Sequence, residues 1–325
     1  MTGLNIPSLK NHLAERRDRL QETIKYVADP TKLFSLLQQV DFALERIDGG
    51  SYGLCEVCHD PIEPERLLMD PLLTVCLDHL NHQQKKALEQ DLELAIKIQR
   101  NLLPENNLKV NGWEFSYHYS PAGPVSGDFC DFIKLDDHSV LFVLGDVSGK
   151  GISASLMMSH LHALIRSLLS INLPVNEIVA RVNRLFCEST LSTHYATMVF
   201  GKANNSGNMQ LCVAGHNPPM LITNGKVETI NSTGIPIGLF CESEYEMVNI
   251  DMHKGDSLVL YSDGLTEASV NEIEYGEDRL KQHLCRSMNL SAKSLLDSIV
   301  IDQKSFLKDS ELFDDITISV LAKTN

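Results

Sequence analysis

The chain has 325 residues, 43% of them apolar and 22% charged, with a formal net charge of −15. That length allows two domains and at least one large core, while the acidic balance argues against a nucleic-acid binder, which would carry a basic footprint. No apolar run approaches a membrane span, and the start, MTGLNIPSLKNHLAERRDRL, lacks the apolar core of a secretion signal. The eight cysteines are therefore expected as thiols and metal ligands of a cytoplasmic protein rather than as a disulfide framework.

In chain order, Leu9, Leu13, Leu20, Ile24 and Val27 keep a heptad-like spacing, interrupted by Arg16. Leu33, Leu37, Val40, Leu44 and Ile47 repeat it after Asp29 and Pro30, a good N-cap and first-turn pair. The two runs predict a helical hairpin with an apolar seam. Cys55-x2-Cys58, seventeen residues, and Cys76-x2-His79 follow. Two chelating pairs at that separation fit a zinc ribbon with one Cys replaced by His, and soft thiolates with an imidazole select one structural zinc ion. Buried thiols and surface histidines are the bland alternative, but chance rarely gives two such pairs at a template spacing.

This stretch, through ALERIDGGSYGLCEVC, PIEPERL and the second pair, resembles the DksA/TraR family over roughly residues 9–85. That family usually has cysteine where His79 stands. Members that enter the RNA polymerase secondary channel carry paired aspartates at the tip of a longer coiled coil, where this chain offers Asp29 alone. The resemblance implies the fold and the zinc, and not the polymerase activity.

Leu88, Leu92, Ala95, Gln99 and Leu102 line one face of a predicted linker helix that Pro104 ends. The helix can pack on its own chain or pair with a copy. A polar Gln99 resembles the register devices of dimeric coils, and a homodimer through this helix is the expectation.

Residues 140–154, VLFVLGDVSGKGISA, run a strand into a glycine loop with a lysine. A P-loop needs four residues before Gly-Lys and a hydroxyl after it. Here Gly145 is followed by three residues, and Gly151 follows Lys150. The acid matters more: Asp146 stands at the carboxyl end of an apolar strand, where ligand sites of layered α/β proteins tend to lie.

Strands are predicted at WEFSYHY, SVLFVLGD, YATMVFGKA, MQLCVAG, PMLIT, SLVLYSDG and ITISVLA, with helices over 151–170, 175–191 and 277–307. This order suggests sheet layers with segregated helices, an α+β class. Asp128, Asp146, Asp263 and the Asp314–Asp315 pair each lie at a strand edge beside Gly or a turn. Converging without compensating cations they would repel, and hard divalent cations, Mg²⁺ or Mn²⁺, resolve that repulsion. Separate caps and turn residues are the alternative.

Taken in order, VSGDFCDF, LGDVSGKGISASLMMSHLHALIR, AGHNPPMLI, GIPIGLF, GDSLVLYSDGLTEA, YGEDRL and DDITISVLA resemble the SpoIIE/RsbU branch of the metal-dependent serine/threonine protein phosphatases, over residues 90–322. The resemblance implies an α-β-β-α sandwich and two Mn²⁺ or Mg²⁺ ions. Asp146 would bridge them, with the Val147 carbonyl as a neighbouring ligand. Asp263 and Asp314 would hold the shared ion, and Asp128 would bind at the other, through water. A metal-activated water would attack the phosphoryl group, with Asp146, Asp263 and Asp314 as the catalytic set and Lys150 as a rim charge.

Many relatives carry histidine two residues after the bridging aspartate; here it is Ser148, as in this branch. His216 is read as structural ahead of a role as acid or donor. Cys130, Cys187, Cys212, Cys241 and Cys285 lack a thiol-phosphatase arrangement and are read as core residues.

The predicted organisation is a hairpin and zinc finger (1–82), a linker helix (83–104) and a phosphatase domain (105–325). The implied substrate is a STAS-domain anti-anti-sigma factor in bacterial partner switching, with the zinc module regulating and neither nucleic acid nor membrane as a partner. The competing reading is a transcription-associated binding protein with an inactive phosphatase-like scaffold. The retained acids and missing acidic tip weigh against it.

Overall fold

A computed structural model of the chain describes residues 6–25, 30–135, 138–169, 173–190, 194–231, 234–271, 273–308 and 312–324. Val27 and Asp29 lie outside these residues. The chain divides into two compact units, Met1–Asp91 and Leu92–Asn325. Among the described residues no helix is long and apolar enough to cross a membrane.

In the first unit, α1 (Ile6–Ile24) and α2 (Thr31–Asp48) form the hairpin. Leu13, Val40 and Leu44 bury its seam, continuous with Tyr52, Ile62 and Leu67 of the finger. Pro30 occupies the N-cap position of α2 rather than its first turn, without a side-chain cap. The helix ends at Gly49 and Gly50, the latter at a φ of +71°, and Arg46 binds its last turn to the finger. Its buried guanidinium donates to the carbonyls of Ser51, Leu54 and Leu73, tying both halves of the finger to the helix. The short α3 (Pro64–Met69) follows, and the division between the units falls within α4 (His82–Leu102).

The second unit opens with β1 (Leu108–Val110), β2 (Trp113–Ser120), β3 (Phe129–Lys134) and β4 (Val140–Val147), then α5 (Gly151–Leu168) and α6 (Val175–Ser189). Strands β5 (Ala196–Ala203), β6 (Asn208–Ala214), β7 (Met220–Thr223), β8 (Lys226–Thr229), β9 (Val248–Asp251) and β10 (Ser257–Tyr261) follow. The chain ends with α7 (Asp263–Thr266), the hairpin β11 (Ser269–Val270) and β12 (Ile273–Glu274), α8 (Glu277–Arg286), α9 (Ala292–Leu307) and β13 (Ile316–Lys323). Two antiparallel sheets result, ordered β1-β2-β13-β10-β7-β8 and β3-β4-β5-β6-β9.

The side-chain period of two turns these strands into layers. On β4, Leu141 and Val143 face α5 and α6, while Phe142 and Leu144 join Phe115, Leu258, Leu260 and Leu321 in the core between the sheets. On β10 and β13, Val259, Tyr261, Ile316, Ile318 and Val320 turn the other way, onto α8 and α9. The architecture is the α-β-β-α sandwich. Each fully buried Leu, Val or Phe contributes about 1.5–3 kcal/mol relative to exposure.

The helix predicted over 277–307 is two helices, α8 and α9. Residues 287–291 break it, and Ser291 caps α9 by accepting from the Ser294 N–H. The cysteines also divide. Cys130 and Cys212 are buried as expected, whereas Cys187 of α6 is disulfide-bonded to the exposed Cys241 and Cys285 is exposed. These last three are not core thiols.

Candidate active site and metal centres

One end of the sandwich collects the predicted acids. Asp128 directly precedes β3, Asp146 is the penultimate residue of β4, Asp263 opens α7, and Asp314 lies two residues before β13. Asp263 thus begins a helix rather than ending a strand, and Asp314 and Asp315 both precede β13. The backbone passes close at two glycines. A β-carbon on Gly127 would come 2.6 Å from the Val147 carbonyl oxygen and 3.2 Å from Asp146 Oδ1. On Gly264 it would meet the Asp315 carbonyl oxygen at 2.1 Å and Asp314 Cβ at 3.3 Å. The segments thus meet in two pairs, the turn before β3 against the end of β4 and the start of α7 against residues 314–315.

The carboxylates act on one another. Asp128 is 1% exposed, and burial followed by the charge of Asp146 pushes its carboxyl well above the usual range. Burial, then the charges of Asp263 and Asp314, push Asp146 up to about 7. Asp263 is raised by burial and by Asp314, and Lys150 works against that rise. Among the described residues, Lys150 is the basic side chain that reaches these acids, with Nζ 3.1 Å from Asp314 Oδ2. Under-compensated oxygen donors of this kind, buried at Asp128 and partly exposed at the others, fit a hard divalent cation.

A scaffold that sequence reasoning missed holds the acids in place. Asp315 accepts from the Ala122 N–H (2.7 Å), Ser126 Oγ (2.6 Å) and the Gly127 N–H (3.1 Å), so its carboxylate anchors the 122–127 loop. Ser262 Oγ donates to Asp128 Oδ2 at 2.8 Å and accepts from the Thr317 N–H. Gln99, on the α4 segment of this unit, donates through Nε2 to the Ser126 carbonyl (2.7 Å) and accepts from the Ser126 N–H (3.0 Å). Both ends of its buried amide are thus engaged within the chain, and Leu102 packs into the core beside α5 and α6. This replaces the expected role of Gln99 as a register device between two helices. The doubled acid in FDDITISV was the sequence signal for Asp315, and its place on the apolar stripe marked Gln99 but not its partner Ser126; nothing local marked Ser262.

His216 is structural here. It is 8% exposed, Nε2 lies 3.1 Å from the Tyr261 carbonyl, and Nδ1 lies 2.7 Å from Thr197 Oγ1. A carbonyl only accepts, so Nε2 carries the proton and Nδ1 accepts from the threonine. Burial lowers the imidazole to about 4, which keeps it neutral as a strap between β5 and β10.

Space at Gly264 gives a direct test. Its missing side chain lets α7 lie against the backbone of Asp315, which cannot move without releasing the 122–127 loop. Gly264→Ala is expected to cost about 1–3 kcal/mol of overpacking and to lower any phosphate-releasing activity at least about tenfold. Urea unfolding with parallel phosphate-release assays measures both. Unchanged values in both would show that this close approach is immaterial.

The first unit holds a second set of donors. Cys55, Cys58, Cys76 and His79 place one ligand atom each within 4.8 Å of one another. Cys58 Sγ and Cys76 Sγ are 3.8 Å apart, and His79 Nδ1 lies 3.2 Å from Cys76 Sγ and 3.9 Å from Cys55 Sγ. Tetrahedral zinc with bonds of about 2.3 Å to sulfur separates its sulfurs by about 3.8 Å, so the four donors fit that ion. The PIEPERL stretch supports the second pair: Glu63 accepts from the Leu77 N–H (3.1 Å), and Arg66 donates to Glu63 (2.9 Å) and to the Val75 carbonyl (3.2 Å).

Comparison with known proteins agrees with this division. The model of the prokaryotic dksA/traR C4-type zinc finger matches residues 50–78, ending just before His79, where this chain departs from an all-cysteine set. Among curated relatives, phosphoserine phosphatase RsbU of Bacillus subtilis (strain 168) is 25% identical over 267 residues, covering 79% of this chain and 78% of that protein. Protein IcfG of Synechocystis sp. is 29% identical over 259 residues, covering 70% of this chain; the chain spans 40% of the length of IcfG. Among solved structures, the SiaA-PP2C domain of Pseudomonas aeruginosa superposes with a TM-score of 0.65 at 18% identity, covering 74% of this chain and 98% of that domain, a likeness of fold. The model of stage II sporulation protein E (SpoIIE) matches residues 136–324, more than half of the sequence, and includes Asp146, Asp263 and Asp314; the chain belongs to the SpoIIE family.

Proposed function

We propose that the chain is a cytoplasmic, Mn²⁺- or Mg²⁺-dependent protein phosphatase that hydrolyses phosphoserine or phosphothreonine on a partner protein. The observation that carries this is the convergence of Asp128, Asp146, Asp263 and Asp314 from four separate segments, each but the last raised by burial and by neighbouring acids. Family membership and the phosphoserine phosphatase name of RsbU support it. In this reading Asp146, Asp263 and Asp314 would hold one ion, with the Val147 carbonyl as a ligand neighbouring Asp146, and Asp128 would stand at the other through water. When bound, the two ions would supply a hydroxide nucleophile at neutral pH and offset the charge of the phosphoryl oxygens.

The residues of the chain supply position. Gln99 holds the 122–127 loop at the Ser126 backbone and Asp315 holds it at Ala122, Ser126 and Gly127, just before Asp128. Ser262 orients Asp128 by donating to Oδ2. Neutral His216 holds its place without taking part in proton transfer. A STAS-domain anti-anti-sigma factor is the proposed substrate, and the zinc-bearing unit, holding one structural Zn²⁺, is the proposed regulator. A homodimer through α4 is part of the proposal. Its contacts would be Leu88, Leu94 and Ile98, which are exposed, rather than Gln99 and Leu102.

The test is phosphate release by the full-length, zinc-loaded chain from a phosphoserine STAS-domain protein, with Mn²⁺ or Mg²⁺ added or withheld. Release that needs the added cation is expected. No release with either cation, or release from a phosphotyrosine protein alone, sinks the reading.

A further inference from the structure

Lys150 is the residue of the glycine loop that the proposed chemistry leaves without a role. It sits between Gly149 and Gly151, whose φ values of +101° and +73° lie in the left-handed region that side chains avoid. Those two glycines turn the chain sharply out of β4 and into α5. The turn carries the lysine across to the segment before β13, where Nζ donates to the Phe313 carbonyl at 2.6 Å and pairs with Asp314 Oδ2 at 3.1 Å. A cavity of about 150 Å³ opens beside this pair, with Gly264, Glu267, Leu307 and Leu312 among its walls.

The charge arrangement is specific. Asp263 and Asp314 lie in each other's field, and Lys150 is the positive charge set against both. It offers one unit of charge where a divalent cation would offer two. The pair is also loose: the lysine side chain is 64% exposed and the Asp314 side chain 44%. An exposed ion pair on a four-carbon stem is worth little and re-forms easily elsewhere.

The geometry points to Lys150 as a built-in counter-ion that holds Asp314 until a divalent cation displaces it, so that this lysine sets the metal concentration at which the site fills. The inference rests on the metal-centre reading above. An ammonium at Asp314 competes for one of the proposed ligands, and as a cation nearby it opposes an incoming dication. Both effects lower metal affinity, and both vanish with the charge. The same contact keeps the site's loops together while it is empty, because Nζ ties the turn before α5 to the Phe313 carbonyl.

The test is Mn²⁺ binding followed by electron paramagnetic resonance of free Mn²⁺, on the full-length zinc-loaded chain. Lys150→Gln removes the charge and keeps an unbranched polar side chain one atom shorter, whereas Lys150→Arg keeps the charge. Lys150→Gln is expected to bind Mn²⁺ about tenfold more tightly, with the gain shrinking at high salt, and Lys150→Arg to stay within about twofold of wild type. Equal or weaker binding by Lys150→Gln, with wild type binding Mn²⁺, overturns the role of Lys150 and leaves the metal centre standing. No Mn²⁺ uptake by wild type or either variant at millimolar concentration overturns both.

Discussion

Asp146→Asn is expected to abolish cation-dependent phosphate release while making the metal-free chain more stable. The loss should reach a thousandfold or more, about 4 kcal/mol of barrier, because Asp146 is the acid flanked by all the others and the proposed bridge between two ions. The gain has a separate cause. Burial and the charges of Asp263 and Asp314 raise this carboxyl from 3.8 to about 7, so in the metal-free fold its ionised form is disfavoured. An amide of nearly the same shape removes that charge. The sign follows from linkage. A carboxyl raised in the folded state contributes stability that is complete below the unfolded value of 3.8 and is lost as pH rises through about 7. Metal-free wild type should therefore melt higher at pH 5 than at pH 8, and the variant should lack that part of the slope. Adding Mn²⁺ should reverse the ranking at pH 8, stabilising wild type and leaving the variant almost unmoved. Thermal melts at the two pH values, with and without Mn²⁺, check each arm. A variant that retains activity, or that is less stable than wild type under all four conditions, would falsify the placement of Asp146.

The parts legible in the sequence were those whose physics is local. Strands β4 and β10 read as nearly continuous apolar runs, and β5 and β13 as β-branched stretches with few charges, because the sandwich buries both faces of each. The cluster of Cys55, Cys58, Cys76 and His79 was legible because chelation fixes spacing. By contrast, β3 escaped as a strand because Phe129–Lys134 carries Asp131 at its centre, and a charge there argues locally against a core strand. The structure resolves this from far along the chain. Arg166 donates to both Asp131 oxygens at 2.7 and 2.9 Å, and His162 lies 3.0 Å away, all on α5. Those contacts, against the cost of burial, hold the carboxyl below its ordinary range.

The same distinction separates the acids of the site from their support. Asp128, Asp146, Asp263 and Asp314 announced themselves beside glycines and strand ends. The amide of Gln99 spans 27 residues to Ser126, and Ser262 reaches Asp128 across 134. The helical stripe placed Gln99 on an inward face without naming its partner, and the Ser262 contact has no periodicity or motif of its own. Strands β1, β8 and β9 have three or four residues each and too few alternations to register. The Cys187–Cys241 disulfide, separated by 54 residues in sequence, likewise had no local signal.

Zinc removal is expected to have the largest effect on stability. Among the described residues, the first unit has one small cluster, in which Cys55 and Cys76 are themselves buried members beside Leu13, Val40 and Leu67. A structural zinc site carries on the order of 10 kcal/mol of folding free energy, comparable to the whole stability of an ordinary domain. Chelation, or Cys76→Ser, should therefore unfold residues 50–80 and expose them to protease, with zinc content falling from one per chain to none. The second unit has three clusters of its own and should keep its melting transition. His79 gives the discriminating arm. Its Nδ1 stands 3.2 Å from Cys76 Sγ, so His79→Ala removes a donor, whereas His79→Cys supplies a thiolate in its place. Zinc content and protease resistance should collapse in the first and survive in the second. Equal resistance in both, in chains shown by mass spectrometry to lack zinc, would mean that the apolar cluster alone folds the unit and that the four donors serve another purpose.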